Sequence, residues 1–291
     1  MTPIEPGSKA VIVIPAFNEA TTVGPVVANV RRVLPTIDVV VIDDGSTDGT
    51  GEAALAAGAR VITHPYNKGN GAAAKTALRE IHAEHLVIID ADGQHPPEMI
   101  PKMLEALQTH DLVIGARTSA SASSPQRRFA NWLFCKLAGV MSGREIPDLT
   151  SGFRAMNRLK ALEFIHLYPN GFSFPTTTTL SFLSTGYSVK FMPIESASRP
   201  SHTQSHIRPF RDGLRFLLII VRISTMINPL RVFGPASAIF FLAGIAWGVR
   251  TMLMTRQISA LGAFLIGASL NILFFGIVLD HLAAIRLKGR E

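Results

Sequence analysis

Two aspartates one residue apart, Asp90-Ala91-Asp92, follow the apolar run 86–89. Carboxylates at that spacing, where a buried strand leaves its sheet, can reach one hard cation, and Mg²⁺ or Mn²⁺ held there would neutralise a diphosphate leaving group. The same spacing also serves ordinary turns, in which aspartates cap backbone amides. A second cluster, Asp43-Asp44-Gly45-Ser46-Thr47-Asp48-Gly49-Thr50, follows another apolar run. Its acceptors and glycines suit a turn over a base and ribose, while Asp48 and Thr50 also read as a plain turn-and-cap pair.

The elements that must position these groups are legible as short runs of Val and Ile. Segments 10–14, 39–42, 60–63, 86–89 and 112–114 read as strands, with helical patterns at 22–33, 51–57, 71–84 and 97–108 between them. Strands apolar on both faces and separated by helices predict an α/β fold with a buried parallel sheet and right-handed crossovers. In such sheets ligands gather at the carboxyl ends of the strands, where the polar clusters at 15–19, 43–50 and 90–94 fall. A small polar stretch at 118–126 reads as a lid-like loop, followed by a helix over 127–141, a further helix beyond 158 and a strand over 187–193. Gly69-Asn70-Gly71 only faintly echoes a dinucleotide loop, and no G-x-G-x-x-G follows the first strand, which speaks against an oxidoreductase.

Charged residues make up 17% and apolar residues 47% of the 291, with a mean hydropathy of +0.29, so part of the chain is expected to leave water. Residues 1–205 hold 18 basic and 18 acidic side chains, whereas residues 206–291 hold 10 and 3, so the net +7 belongs to the tail. That distribution speaks against a nucleic-acid partner, which would call for a basic patch on the folded module, and favours an anionic membrane surface. The single Cys135 excludes an internal disulfide, in keeping with a reducing compartment. The first nine residues carry no signal-peptide pattern, so the N-terminal region is expected in the cytoplasm.

Within the tail, Arg208, Arg211, Arg215 and Arg222 fall at offsets 0, 3, 7 and 14 of an otherwise apolar helical stretch, 207–228, the pattern of an interfacial helix. Uncharged runs of 18 residues (232–249) and 23 residues (257–279) follow, each long enough to span a bilayer. Basic residues flank the pair on the outside (Arg222, Arg231, Arg286, Lys288, Arg290) against Arg250 and Arg256 in the connection, so the positive-inside rule predicts both termini in the cytoplasm. Gly244 with Gly248, and Ala263 with Gly267, predict close helix contact, either within the hairpin or in a homo-oligomer. The expected organisation is a catalytic domain over 1–205, an amphipathic interfacial region over 206–230 and a transmembrane hairpin with its tail over 231–291.

Five motifs in order carry a resemblance: Pro15-Ala16-Phe17-Asn18-Glu19, the DDGSTDGT cluster at 43–50, Asn67-Lys68-Gly69 with Gly71, Asp90-Ala91-Asp92-Gly93-Gln94-His95-Pro96-Pro97, and Asp148-Leu149-Thr150-Ser151-Gly152-Phe153-Arg154. Together they resemble glycosyltransferase family 2, in particular its dolichyl- and polyprenyl-phosphate sugar synthases with two C-terminal transmembrane helices. The Ser-Gly-Phe segment leans toward the dolichyl-phosphate mannose synthases. The resemblance implies a GT-A, Rossmann-like fold, a nucleotide-sugar donor (GDP-mannose or a UDP-hexose), a divalent metal, a polyprenyl phosphate acceptor and inversion at the anomeric carbon. Carried over by position, it implies Pro15, Phe17, Glu19, Ile42 and Asp44 at the nucleoside. It implies Asp90, Ala91, Asp92 and Gln94 at metal, diphosphate and sugar, Arg199 at the nucleotide sugar, and His206 facing the diphosphate. It further implies Arg117, Arg127, Asn131 and Ser151 at the acceptor, with Arg128 a substitute for Arg127. Phe17 stands where the family often has Tyr, and Arg199 lies six residues before Ser205 with no intervening glycine, a departure from the family spacing.

Two other readings stay open. One is a catalytically inactive GT-A-like membrane scaffold. The other is a processive polysaccharide synthase, against which stand the small number of spans and the lack of an Arg before Trp132 or Trp247. His202 and His206 sit four apart without a third ligand, which is no zinc site.

Overall fold

The structure is a computed structural model that describes residues 9–117, 125–171, 173–195 and 209–288; within these, the side chains at 125–131, 209–216, 227 and 286–288 lie outside the description. The stretch 118–124 of the expected lid loop, the side chains of Arg127, Arg128 and Asn131, residues Arg199, His202 and His206, and the stripe members Arg208, Arg211 and Arg215 therefore fall outside it. Chain contacts divide the protein into two compact units, 1–140 with 144–217, and 141–143 with 218–291.

The first unit opens with β1 (Ala10–Ala16), α1 (Val23–Val33), β2 (Asp38–Asp43), α2 (Thr50–Ala56), β3 (Arg60–Thr63), α3 (Asn70–Glu80) and β4 (His85–Ile88). A 3₁₀ turn (Pro97–Met99) then leads into α4 (Ile100–Ala106), β5 (Leu112–Arg117) and α5 (Pro125–Ser142), whose last two residues belong to the second unit. β6 (Arg154–Asn157), α6 (Arg158–Glu163), α7 (Phe174–Ser184) and β7 (Val189–Ile194) complete the sheet, in the order β3-β2-β1-β4-β6-β5-β7. Strand alternation divides the core. Ile12 and Ile14 face a cluster with Val23, Val27, Ile100 and Met103, whereas Val11 and Val13 face Leu78, Phe164 and Phe182 on the other side.

The expectation of a wholly parallel sheet is corrected at one strand. β6 is antiparallel to both neighbours, with Arg154 opposite Ile88 of β4 and Ile114 of β5. Four residues, Arg-Ala-Met-Asn, carry no Val or Ile run, so neither hydrophobicity nor alternation marks them as a strand. The expected helix over 71–84 stops at Glu80, since Ile81 turns extended at φ −97°, ψ 111°. The expected helix over 97–108 is a 3₁₀ turn running into a shorter α-helix.

In the second unit, α9 (Leu230–Thr255) and α10 (Ala260–Lys288) form a helical hairpin; α8 (Pro209–Ile227) precedes them. Arg256 closes α9 in the left-handed region at φ 55°, and Ser259 Oγ accepts from the Gly262 amide at the start of α10. Gly244 faces Gly262 and Ile266, Gly262 faces Gly248, and the Ser237 hydroxyl donates to the Ser269 carbonyl at 2.8 Å. Close contact within the hairpin is thus made by Gly262 rather than the expected Ala263–Gly267 pair: Ala263 is exposed, and a Cβ added at Gly267 would meet no atom within 4 Å among the described residues. The apolar windows of the two helices are only 6% and 17% buried. A soluble core helix would hide that surface, so two helices of this length with Phe240, Phe241, Phe274 and Phe275 exposed mark a membrane protein.

The glycines of the third motif are set by a second chain segment. Gly69 has φ +101°, and the amides of Gly71 and Ala72 donate to the carbonyls of Gly171 (3.2 Å) and Asn170 (2.9 Å). At Gly71 helix propensity alone would favour alanine by about 1 kcal/mol. A Cβ there would overlap the Pro169 carbonyl oxygen and lie 2.8 Å from that of Gly171, both backbone atoms that cannot swing aside. Gly71→Ala is therefore expected to destabilise the protein by about 2 kcal/mol, read as a lower Tm in detergent; an unchanged or raised Tm would mean that the facing segment gives way.

Candidate active site

The loops after β1 and β2 are laced together by side chains of the second motif. Asn18, in the left-handed region at φ 54°, donates its amide to Ser46 Oγ (2.9 Å) and accepts the Thr47 amide on Oδ1 (3.0 Å). The Glu19 amide donates to Thr50 Oγ1 (2.8 Å) and the Ala20 amide to Asp48 Oδ2 (3.1 Å). Burial would raise the Asp48 carboxyl, but hydrogen bonds from Thr50 and the Ala20 amide outweigh it and hold the carboxyl below its usual range. Asp48 and Thr50 thus serve the lacing between loops.

Asp44 is buried beneath that lacing. Its Oδ1 meets His64 Nδ1 (2.6 Å) and the Lys68 amide (3.0 Å), and its Oδ2 takes the Gly69 amide (2.7 Å). His64, itself buried, reaches Thr76 with its other nitrogen at 2.8 Å. Pro15 and Ile42 stand opposite each other in β1 and β2 with their side chains in the core, while Glu19 accepts from the Thr22 hydroxyl at 2.6 Å. Phe17 remains open at the strand end, 43% exposed, an apolar plate on which a flat base can stack.

Asp90 stands two residues past the end of β4. It lines a cleft with Thr150 and Gly152 on one side and Phe174, Pro175 and Thr176 on another, and Asn70 completes the wall. Ala91 is buried, Asp92 and Gln94 are half-exposed, and Asp92 Oδ1 accepts the Gln94 amide at 3.1 Å. Among the described residues no three His, Cys, Asp or Glu side chains form a closed metal cage. Two carboxylates and an amide are a hard, open donor set, of the kind that leaves coordination positions to substrate phosphates, so the residues fit a Mg²⁺ or Mn²⁺ ion.

At the end of β5, Arg117 is locked in place. Its Nε donates to Asp148 Oδ2 (2.8 Å), while Nη2 reaches Asp148 Oδ1 (3.2 Å) and Thr150 Oγ1 (2.6 Å). Burial works against the Arg117 charge, yet Asp148 by hydrogen bond and charge, with a further contribution from Asp90, raises its pKa above the ordinary value. Asp148, 2% exposed, would be pushed up by burial, but Arg117 and the Thr150 and Arg117 amides hold it below the usual carboxylate range. One guanidinium edge is tied to the protein and the side chain stays 38% exposed, able to meet an anion. Ser151 is buried with no partner for its hydroxyl among the described residues, and its carbonyl accepts from Arg154, which also donates to the Pro175 carbonyl at 2.9 Å. Full burial lowers the Arg154 pKa to about 10, so it keeps its charge at neutral pH.

The cleft therefore gathers Asp90, Thr150 and Gly152; Arg117 is tied to it through Thr150, and Asp92 and Gln94 follow Asp90 in the chain. Arg127 and Asn131 lie on α5 in the described backbone only. Residue-by-residue reading missed His64, His95, Gly152 and Arg154 as working parts. Each is a single residue whose role depends on a partner 3 to 62 positions away in the chain. The signal available in the sequence was company: Gly152 and Arg154 stand in the motif that holds Asp148, and His95 in the motif that holds Asp90 and Asp92.

Residues 11–163 match glycosyl transferase family 2, and residues 228–285 match the GtrB C-terminal hairpin. The chain belongs to glycosyltransferase family 2 and is a glycosyltransferase. It is 30% identical over 285 residues to glycosyltransferase AglJ of Haloferax volcanii, covering 92% of each chain. It is 32% identical over 213 residues to the polyprenol monophosphomannose synthase of Mycolicibacterium smegmatis (67% of this chain, 80% of the relative). With the undecaprenyl-phosphate mannosyltransferase of Micrococcus luteus it shares 30% over 205 residues (66% and 84%). Among solved structures, glucosyl-3-phosphoglycerate synthase from Mycobacterium tuberculosis, in complex with Mn²⁺, UDP and phosphoglyceric acid, has the same fold. The TM-score is 0.60 at 19% identity over 75% of this chain and 78% of that one.

The Arg117–Asp148 pair gives a pH-dependent prediction. A carboxyl whose folded pKa is depressed contributes stability that is present above its unfolded pKa, about 3.9, and lost as pH falls through the folded value. Asp148→Asn is expected to cost about 2 kcal/mol at pH 7, seen as a lower Tm, and to flatten the acid-side fall in Tm below about pH 4. Equal Tm values for variant and wild type at pH 7 would contradict the structural weight given to this pair.

Proposed function

We propose that the protein transfers a hexose from a nucleotide sugar, GDP-mannose or a UDP-hexose, to a polyprenyl phosphate, inverting the anomeric carbon. The observation that carries this is the single segment 148–152, which holds Arg117 through Asp148 and Thr150 and meets Asp90 at Gly152, so that an anion-binding group is tied to the wall of the cleft that a metal-type carboxylate lines. The names of the relatives supply the substrate class, and the apolar hairpin supports an acceptor that stays in the bilayer.

A phosphate monoester has its second pKa near 6, so at pH 7 the acceptor oxygen is mostly ionised and needs no strong base to attack. The protein's task is then to bring two anions together. Asp90 and Asp92, with Gln94, would hold a Mg²⁺ or Mn²⁺ ion, which neutralises the diphosphate as it leaves. Arg117, pre-oriented by Asp148 and Thr150, would fix the acceptor phosphate by its free edge, joined by Arg127 and Asn131 on α5 and by Ser151. Phe17 would stack on the base, with Pro15, Glu19, Ile42 and Asp44 around the nucleoside; Ala91 would lie at the diphosphate and sugar, Arg199 would bind the nucleotide sugar and His206 would face its diphosphate. We further propose that the catalytic region 1–205 and both termini are cytoplasmic in the cell membrane. In this topology 206–230 lies at the surface and 231–291 carries the hairpin, in accord with the basic flanks of the spans.

The test is transfer of radiolabelled sugar from a panel of GDP- and UDP-sugars into organic-extractable lipid. It uses solubilised protein, undecaprenyl phosphate and Mg²⁺ or Mn²⁺. One donor is expected to label the lipid, and Asp92→Ala to lower the rate at least about a hundredfold. Arg117→Lys is expected to act mainly on the KM for the acceptor. A folded protein that labels no lipid with any donor would overturn the proposal in favour of a scaffold.

A further inference from the structure

His95 has no part in the transfer chemistry proposed for Asp90, Asp92 and Gln94, yet its ring meets Asp90 twice. The Asp90 amide donates to Nδ1 at 3.3 Å. A ring nitrogen that accepts from a backbone amide carries no proton, so the neutral imidazole holds its hydrogen on Nε2. That nitrogen lies 3.8 Å from Asp90 Oδ2, beyond hydrogen-bond length but within reach of electrostatic orientation, and the ring is buried, 5% exposed. Its plane is stacked on Phe153 with centroids 5.2 Å apart and 15° between planes, and Phe153 is fully buried. On another side Gly152 lies so close that a Cβ there would overlap both Asp90 carboxylate oxygens.

We propose that His95 is the positioning residue of the Asp90 carboxylate. The imidazole, braced by Phe153, fixes the Asp90 backbone through Nδ1 and draws the carboxylate toward Nε2–H, and Gly152 leaves the room that this orientation requires. Because the approach at Nε2 is long, the carboxylate oxygens keep lone pairs for a cation. The ring thus acts as an outer support for a group that holds the ion, comparable to the partners that orient ligands in metal sites generally. This inference rests on the proposed metal-holding role of Asp90.

The experiment counts free Mn²⁺ by electron paramagnetic resonance while full-length protein in detergent is titrated in the presence of GDP or UDP. His95→Phe keeps a ring on Phe153 and removes both nitrogens; His95→Asn keeps an acceptor near the position of Nδ1 but has no donor at the position of Nε2. Gly152→Ala leaves His95 intact and crowds the carboxylate. His95→Phe and Gly152→Ala are each expected to weaken Mn²⁺ binding about tenfold, and His95→Asn to recover part of the loss, with Tm values near wild type. Transfer should fall most at limiting Mn²⁺ and be partly restored at saturation. If His95→Phe does not fold, the other two variants decide by the same readout. Wild-type Mn²⁺ affinity in the folded variants, with any loss of transfer following Tm alone, would overturn the inference and reduce His95 to core packing. A wild-type protein that binds no Mn²⁺ with either nucleotide would instead overturn the metal-holding role of Asp90, and the positioning role with it.

Discussion

The insertion of one short antiparallel strand is the constraint on which the site depends. β6 lies between β4, which leads to Asp90, and β5, which ends at Arg117. Because it runs against both, the residues that enter it arrive at the carboxyl ends of its neighbours, where a parallel strand would have delivered the residues that leave it. Segment 148–153 is thereby threaded between the two. Asp148 and Thr150 take hold of Arg117, and Gly152 comes against Asp90. Arg154 anchors the strand in the middle of the sheet by donating to the Ser151 and Pro175 carbonyls, with Asp148 and Asp90 favouring its charge. Burying a guanidinium is costly, and its Nε finds no partner among the described residues. Its position under the site, rather than any gain in stability, is the physical account of its presence.

The chemistry was more legible in the sequence than the topology. Strands such as Val39-Val40-Val41-Ile42 announce themselves because both faces are buried and Val and Ile fill both. β6 does not, since Ala155 and Met156 enter the core between polar Arg154 and Asn157 and form no Val or Ile run. The Asp90-Ala91-Asp92 pair was legible because its spacing and its place after a strand are local properties. The lacing of Asn18 to Ser46 and Thr47, and of His64 to Asp44, was not, because each bond joins residues 20 to 29 apart and depends on how two loops meet. In the hairpin, composition located the spans but not the contact face: the left-handed turn at Arg256 sets which side of α10 meets α9, and it brings Gly262 rather than Ala263 to Gly244.

Charge and hydropathy divide the labour along the chain. Residues 1–205 are neutral overall and hold fixed ion pairs such as Arg117 with Asp148 and Lys160 with Asp111. The C-terminal residues hold the net positive charge and expose large apolar side chains over two long helices. In the proposed reaction a water-soluble nucleotide sugar and a lipid-borne acceptor make opposite demands on solvent, and these two regions would answer them separately. Small residues at the hairpin contact let the two backbones approach without a hydrophobic driving force between them, as the bilayer requires.

The central claim is that Asp90 and Asp92 bring a divalent cation to the donor diphosphate in the cleft beside Arg117. It is tested most directly by phosphorus relaxation. Mn²⁺ is added to the solubilised protein with the preferred nucleotide sugar and an acceptor lipid phosphate, and the ³¹P relaxation rates of both substrates are measured. The account predicts strong enhancement at both diphosphate phosphorus atoms, weaker enhancement at the acceptor phosphate, and loss of both in Asp90→Ala. Diphosphate relaxation unaffected by Asp90→Ala, in a protein that still binds the donor, would contradict it.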